Sequence, residues 1–295
     1  MLHDKALALA NRFLALPPTQ RRTFLAKLRD QGLDAGALPI PGGAAGECAE
    51  TSYAQQRLWF LERLQPGNAA YHLPGALCLQ GRLDETALRE AFASLMARHP
   101  SLRTTMEDGP ARTPLQRVSE ASKVPLEALG EIAAEALPAV ARTFANRPFD
   151  LERGPLWRLA LAQGVDGGPA HLLLCLHHAI ADGWSIQVLL DDFAILYRAA
   201  LEGRQAALPV LDVSYADHAR WQRACLEAGE GERQLAFWRE RLGTEHPVLE
   251  LPGDRPRPVA PSHRGGRLAF QLPAPRPTGS GPWRAPSAPR CSRCC

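Results

Sequence analysis

Apolar positions along the first third of the chain recur at helical spacing, interrupted by proline and glycine. Residues 6–32 predict two short amphipathic helices broken at Pro17-Pro18. The second runs from Thr19 to Gln31, with Phe24, Leu25 and Leu28 on one face and Gly32 as its stop. A Gly/Pro/Ala-rich stretch to Gly46 follows, so residues 1–47 read as a helical prefix and linker outside the main core, a spacer or an oligomerising hairpin. Ser52 then caps a helix with Leu58, Leu61 and Leu64 three residues apart, stopped by Pro66-Gly67. Ala76–Leu79 reads as a strand, and Asp84 caps a helix carrying Leu88, Phe92, Leu95 and Met96. Strand followed by helix predicts mixed α/β layers.

The run His171 to Leu176, HLLLCL, lies between Gly167-Gly168-Pro169 and polar residues, which predicts a strand buried on both faces. It ends in His177-His178. The next helix, for which Ser185 reads as the cap, carries Ile186, Leu189, Leu190, Phe193, Leu196 and Tyr197 on one face. Helical stretches follow at Tyr215–Glu227 and Glu232–Leu242, then an extended Pro/Arg connector from Leu251 and one more candidate strand at Gly265–Leu272. From Pro273 onward there are six Pro and no Leu, Ile, Val, Met or Phe, so that segment has nothing to bury and reads as disordered.

Composition changes this picture in one place. The formal charge of the 295 residues is +3, but the tail from Pro273 holds four Arg and no acid, leaving −1 for the first 272 residues. A neutral body gives no surface for tracking nucleic-acid phosphates. Cys48, Cys78, Cys175 and Cys225 are scattered and Cys291, Cys294 and Cys295 crowd the end, unlike a disulfide framework, so a reducing compartment is expected. With no leader pattern and no uncharged apolar stretch near ~18 residues, a cytoplasmic protein without a membrane span is expected.

Candidate chemistry centres on the two histidines, which sit where a core strand ends, the place open α/β sheets put their reactive groups. Adjacent strand residues point to opposite faces, so one ring is expected to be structural. We read His177 as packed or orienting the loop, and His178 as facing a cavity with a ring nitrogen free to accept or donate. Asp182 is placed to orient a ring or to pair with an arginine, and Gly183 frees the backbone for close approach of a ligand. A metal site on His177, His178 and Asp182 is disfavoured because adjacent histidines seldom chelate one ion. A serine triad lacks its GxSxG elbow.

The wider constellation carries a resemblance. HHAIADGWS, from His177 to Ser185, resembles the HHxxxDG signature of the condensation domains of nonribosomal peptide synthetases, which group with chloramphenicol acetyltransferase-like acyltransferases. Ser52–Leu77 resembles the first family motif, RHPSLRTTM from Arg98 the second and YADHARWQ from Tyr215 the fourth; FWRERL and LPGDRPRP follow as usual. The resemblance covers Ser52 to Leu272. It implies an α/β fold in which a mixed sheet is flanked by helices, and an amide-bond-forming reaction between two thioesters held on phosphopantetheine arms of donor and acceptor carrier proteins, beside adenylation domains. No directly bound cofactor, nucleic acid or membrane is implied. In the family the second histidine is catalytic, here His178, as base or as positioner of the amine; His177 and Gly183 join it at the reacting centre. Asp182 is implied to be structural, in an ion pair with Arg103.

Departures from the pattern qualify the expectation. Pro100 replaces a usual Glu. Retention of both histidines argues against the heterocyclising branch, while an epimerisation-type domain stays as an alternative. No later motif of the family's second lobe is found, so residues 48–225 are expected to form the N-terminal lobe, 226–272 a connector and the start of the second lobe, and 273–295 a tail resembling a shifted reading frame. The corresponding alternative function is a catalytically silent lobe acting as a binding or docking module.

Overall fold

In the computed structural model, described residues are 2–43, 48–110, 113–120, 123–246, Pro252, Gly253 and Pro256. Met1–Pro256 form one compact unit. Of the expected 226–272 connector, residues 226–246 are described and form helical turns as far as Leu242, whereas most of the Pro/Arg stretch from Leu251, the strand at Gly265–Leu272 and the tail lie outside the described residues.

The main sheet has four strands in the order β2-β7-β6-β5: β2 (His72–Leu79), β5 (Leu126–Ile132), β6 (Trp157–Gly164) and β7 (Ala170–His177). Only β5 and β6 run parallel. They are joined through α5 (Leu137–Asn146), as a parallel pair requires a crossover. A second, antiparallel sheet of β1 (Cys48–Glu50), β4 (Pro114–Val118) and β3 (Thr104–Asp108) lies beside it. Strands and helices thus form the α/β layers the apolar pattern indicated, and the mixed sheet flanked by helices is the one the family resemblance implied.

Core helices follow their sequence cues. The helix α3 (Tyr53–Leu64) starts on a Ser52 capping box closed by Gln55, and α4 (Glu85–Arg98) on Asp84. All four expected apolar residues of α4 are buried, and Phe92 stacks on Phe193 of α6 (Gly183–Leu201) at 4.4 Å. Together α4 and α6 cover one face of the main sheet, meeting Leu159, Leu174 and Leu176, with a void of about 40 Å³ between them. On the other face α5 places Phe144 against Arg158 of β6. Strand β7 is buried on both faces as expected: Leu172, Leu173, Cys175 and Leu176 are all in the core. Each such leucine contributes roughly 1.5–3 kcal/mol of burial.

Two expectations change. Helix α3 buries Leu58 and Trp59 but leaves Leu64 64% exposed, because only its first turns reach the core. The prefix helices, α1 (Leu2–Ala15) and α2 (Pro18–Asp30), are no detached spacer. They bury Ala10, Phe13, Leu14, Leu25 and Leu28 against Trp221, Ala224 and Cys225 of α7 (Tyr215–Cys225), a satellite core separate from the main one. A π-type turn, Leu226–Glu230, leads from α7 into α8 (Gly231–Leu242), which buries none of its residues.

Candidate active site

The strand register builds the site. His72 opens β2 directly opposite His177, the last residue of β7. Facing residues on neighbouring antiparallel strands share one side of the sheet, so their rings meet 6.0 Å apart, and each packs edge-on to Phe149. His177 is 2% exposed. Its main-chain N–H donates to the Leu156 carbonyl at 2.8 Å, while its ring Nδ1 accepts the Ala179 N–H at 3.1 Å. An accepting Nδ1 carries no proton, so the neutral ring holds its hydrogen on Nε2. Burial above all, then the neighbouring His72 and His178, pushes the His177 pKa down to about 4. This ring is held neutral and engaged with its own loop.

His178 has left the strand. It is half-buried, and its main-chain N–H donates to the Tyr71 carbonyl at 2.8 Å. The turn beyond it closes through Ile180 N–H to the His177 carbonyl at 3.1 Å and is braced by the Gln55 side-chain amide of α3, which donates to the Ala179 carbonyl at 3.2 Å. Adjacent histidines therefore occupy separate environments, one sealed and one reachable.

Asp182 is the N-cap of α6, the position the sequence reading gave to Ser185. Its Oδ1 accepts the Ser185 N–H at 2.7 Å and the Ser185 hydroxyl at 2.6 Å, and its own N–H donates to Ser185 Oγ at 3.2 Å. Those hydrogen bonds from Ser185 lead the causes that hold the carboxyl below the usual range, with nearby His178 a smaller one. The expected Asp182–Arg103 ion pair is not formed. Arg103 ends the 3₁₀ turn Pro100–Arg103 and donates to the Met96 carbonyl at 3.1 Å and to the Ser119 carbonyl. Asp182 is exposed, so no buried charge demands a partner, and each group satisfies a local backbone need instead. Gly183 is the first residue of α6, exposed, and is not among the glycines with positive φ. Its backbone therefore makes no left-handed turn at the helix start. Beside it Trp184 is 82% exposed.

The structure thus groups His177, His178, Asp182 and Gly183 on one strand-to-helix turn and sets Arg103 apart, bonded elsewhere. Sequence reasoning missed Gln55, Tyr71, His72 and Phe149. Gln55 and Tyr71 lie within the segment already singled out from Ser52 to Leu77, but their contacts with the turn are long-range pairings that no local spacing reveals. Among the described residues no group of three or more His, Cys, Asp or Glu could hold a metal ion, and no helix is long and apolar enough to cross a membrane. The four described cysteines are free.

Comparisons with known proteins agree with this architecture. A family model described as Condensation domain matches residues 47–278. The chain is 43% identical over 230 residues to one of the linear gramicidin synthase proteins of Brevibacillus parabrevis, covering 76% of this chain and 3% of that protein. It is 39% identical over 282 residues to phosphinothricin tripeptide synthetase PhsC of Streptomyces viridochromogenes, covering 90% of this chain and 25% of that one. Among solved structures, the X-domain in its complex with OxyB from teicoplanin biosynthesis matches with TM-score 0.69 and 34% identity, over 77% of this chain and 50% of that chain. The starter condensation domain of rhizomide synthetase RzmA shares the fold at TM-score 0.59 and 20% identity, over 70% and 52%. The chain therefore spans a small part of these synthetases and about half of the solved domains. With the match covering most of its length and the HH turn at the end of a core strand, this chain belongs to the condensation-domain family of nonribosomal peptide synthetases.

Proposed function

We propose that this chain supplies the histidine-bearing part of an amide-bond-forming site that joins two acyl groups presented as thioesters on phosphopantetheine arms. The observation that carries the reading is the division between the two histidines: His177 is sealed and neutral, while His178 stands half-buried at the strand end. When an amine attacks a thioester carbonyl, the nitrogen must lose a proton as the C–N bond forms, and the thiolate leaves with the electron pair of the broken C–S bond. On this reading a ring nitrogen of His178 accepts that proton or holds the amine by a hydrogen bond. Gly183 leaves the approach unobstructed, and Asp182 fixes the start of α6. Tethering both substrates supplies the effective concentration that a two-substrate reaction needs. Donor and acceptor carrier proteins, adjacent adenylation domains and a cytoplasmic setting belong to the same proposal.

A second reading has its own support. The similar X-domain was solved in a complex with OxyB, and this chain presents exposed apolar side chains, Trp184 beside the turn and Leu235, Trp238 and Leu242 along α8. On that reading the chain is a docking module. One experiment parts the two: incubate this chain with two aminoacyl-loaded carrier proteins and measure dipeptidyl product by mass spectrometry, with His178→Ala alongside. Product that falls at least about a hundredfold on substitution supports catalysis. Absence of product together with retained carrier binding supports docking.

A further inference from the structure

We infer that His72 is a positioning residue for His178, acting through His177; the inference rests on the catalytic reading of His178. The contacts form a continuous chain. The ring of His72 is fixed by Nδ1–H donating to the Ala145 carbonyl at 2.7 Å and by edge-on packing against Phe149 at 4.9 Å. Since a carbonyl only accepts, the proton of neutral His72 sits on Nδ1. Burial holds its pKa below the ordinary value despite that bond, and the nearby Arg158 guanidinium acts in the same direction. The Arg158 guanidinium lies 3.9 Å over the Phe149 ring and donates to the same Ala145 carbonyl at 3.3 Å, so the aromatic wall and the carbonyl are themselves held.

Against this fixed ring lies His177, its centroid 6.0 Å away. His177 in turn orients the Ala179 N–H through Nδ1, which sets the backbone on the far side of His178. On the near side, Tyr71, the residue before His72, holds the His178 N–H. The backbone of His178 is therefore gripped from both sides by groups whose placement depends on the start of β2. His72 touches no reacting atom in this scheme. Its effect on rate comes through the orientation of the ring beyond the next strand, and displacements of about 1 Å at such a distance cost up to about a hundredfold.

The test uses the full chain with ¹³C/¹⁵N-labelled histidine. The ring signals of His178 are assigned by their loss in His178→Ala and compared in His72→Ala, His72→Leu and His72→Asn, with thermal unfolding recorded for each. His72→Leu fills the space without a donor and is read whether or not His72→Ala folds; His72→Asn restores a donor toward the Ala145 carbonyl. We expect the His178 ring signals to shift or split in the Leu and Ala variants and to return toward the parental positions in Asn. In the dipeptide assay, kcat per folded molecule should fall about tenfold or more in Leu with KM within about twofold, and Asn should recover most of it. Unmoved His178 signals in folded His72→Leu overturn the inference, as does an unchanged kcat in an active protein. If His178→Ala leaves dipeptide formation at the parental rate, the catalytic reading fails while the ring signals still decide the positioning.

Discussion

His177 illustrates how burial turns one of two identical side chains into a structural part. In the unfolded chain its ring titrates near the ordinary value of about 6.5, whereas in the folded chain the pKa is about 4. Between those values the unfolded state binds the extra proton, so stability rises with pH and is lost as pH falls from about 6.5 toward 4. From the size of the shift the loss is about 3 kcal/mol. Urea unfolding followed at pH 7, 5.5 and 4.5 should record the decline, and His177→Gln should flatten the part of the slope that belongs to this ring. An equal slope in parent and variant would show that other groups dominate acid sensitivity in this window. The same substitution leaves the Ala179 N–H without its imidazole acceptor, so a lower starting stability is expected as well.

At the scale of elements, α6 tests what a motif residue contributes to its helix. Asp182 caps the helix, and Asn caps about as well as Asp. Asp182→Asn should therefore unfold within about 0.5 kcal/mol of the parent, whereas Asp182→Ala should cost about 1 kcal/mol. A cycle combining Asp182→Asn with Arg103→Gln should return a coupling energy near zero, since the two side chains bond to different partners. A coupling well above about 1 kcal/mol would restore the ion pair that the family resemblance implied. The helices were legible because their signals are local: Ser52, Asp84 and Pro17-Pro18 sit where the elements begin or break. The apolar run of β7 was legible for the same reason. The small sheet of β1, β4 and β3 was not, since its strands carry mixed polar residues and owe their pairing to distant partners such as Glu50 opposite Leu115. At the site, the histidines could be read from their motif, but the wall around them is assembled from β2, β6 and the segment before β6. Sequence proximity does not encode those meetings.

For the whole molecule, the question is whether the N-terminal hairpin belongs to the folded unit or merely precedes it. Phe13 is fully buried and meets the Trp221 ring edge-on at 5.3 Å, which ties α1 to α7. From α7, Arg223 Nε donates to the Thr51 carbonyl at 2.6 Å, next to the Ser52 cap of α3, and Tyr215 shares a hydrogen bond with Ser52 Oγ at 3.0 Å. The ion pairs Arg22–Glu232 and Arg29–Glu230 add little, being largely exposed on at least one side. Docking of the hairpin thus rests on apolar burial. Cys225 reports on it: the thiol lies in the satellite core, where burial and then Glu230 push its pKa up to about 12, so it stays protonated and unreactive while the hairpin is seated. Phe13→Ala removes a large buried ring at a cost of about 3 kcal/mol, which raises the population of the opened hairpin on the order of a hundredfold. Iodoacetamide labelling with peptide mass mapping should find Cys225 modified faster in Phe13→Ala by a comparable factor, while exposed Cys48 and Cys78 react at parental rates. If Cys225 labels no faster than in the parent, the hairpin is not what shields α7, and the spacer reading of the first 47 residues returns.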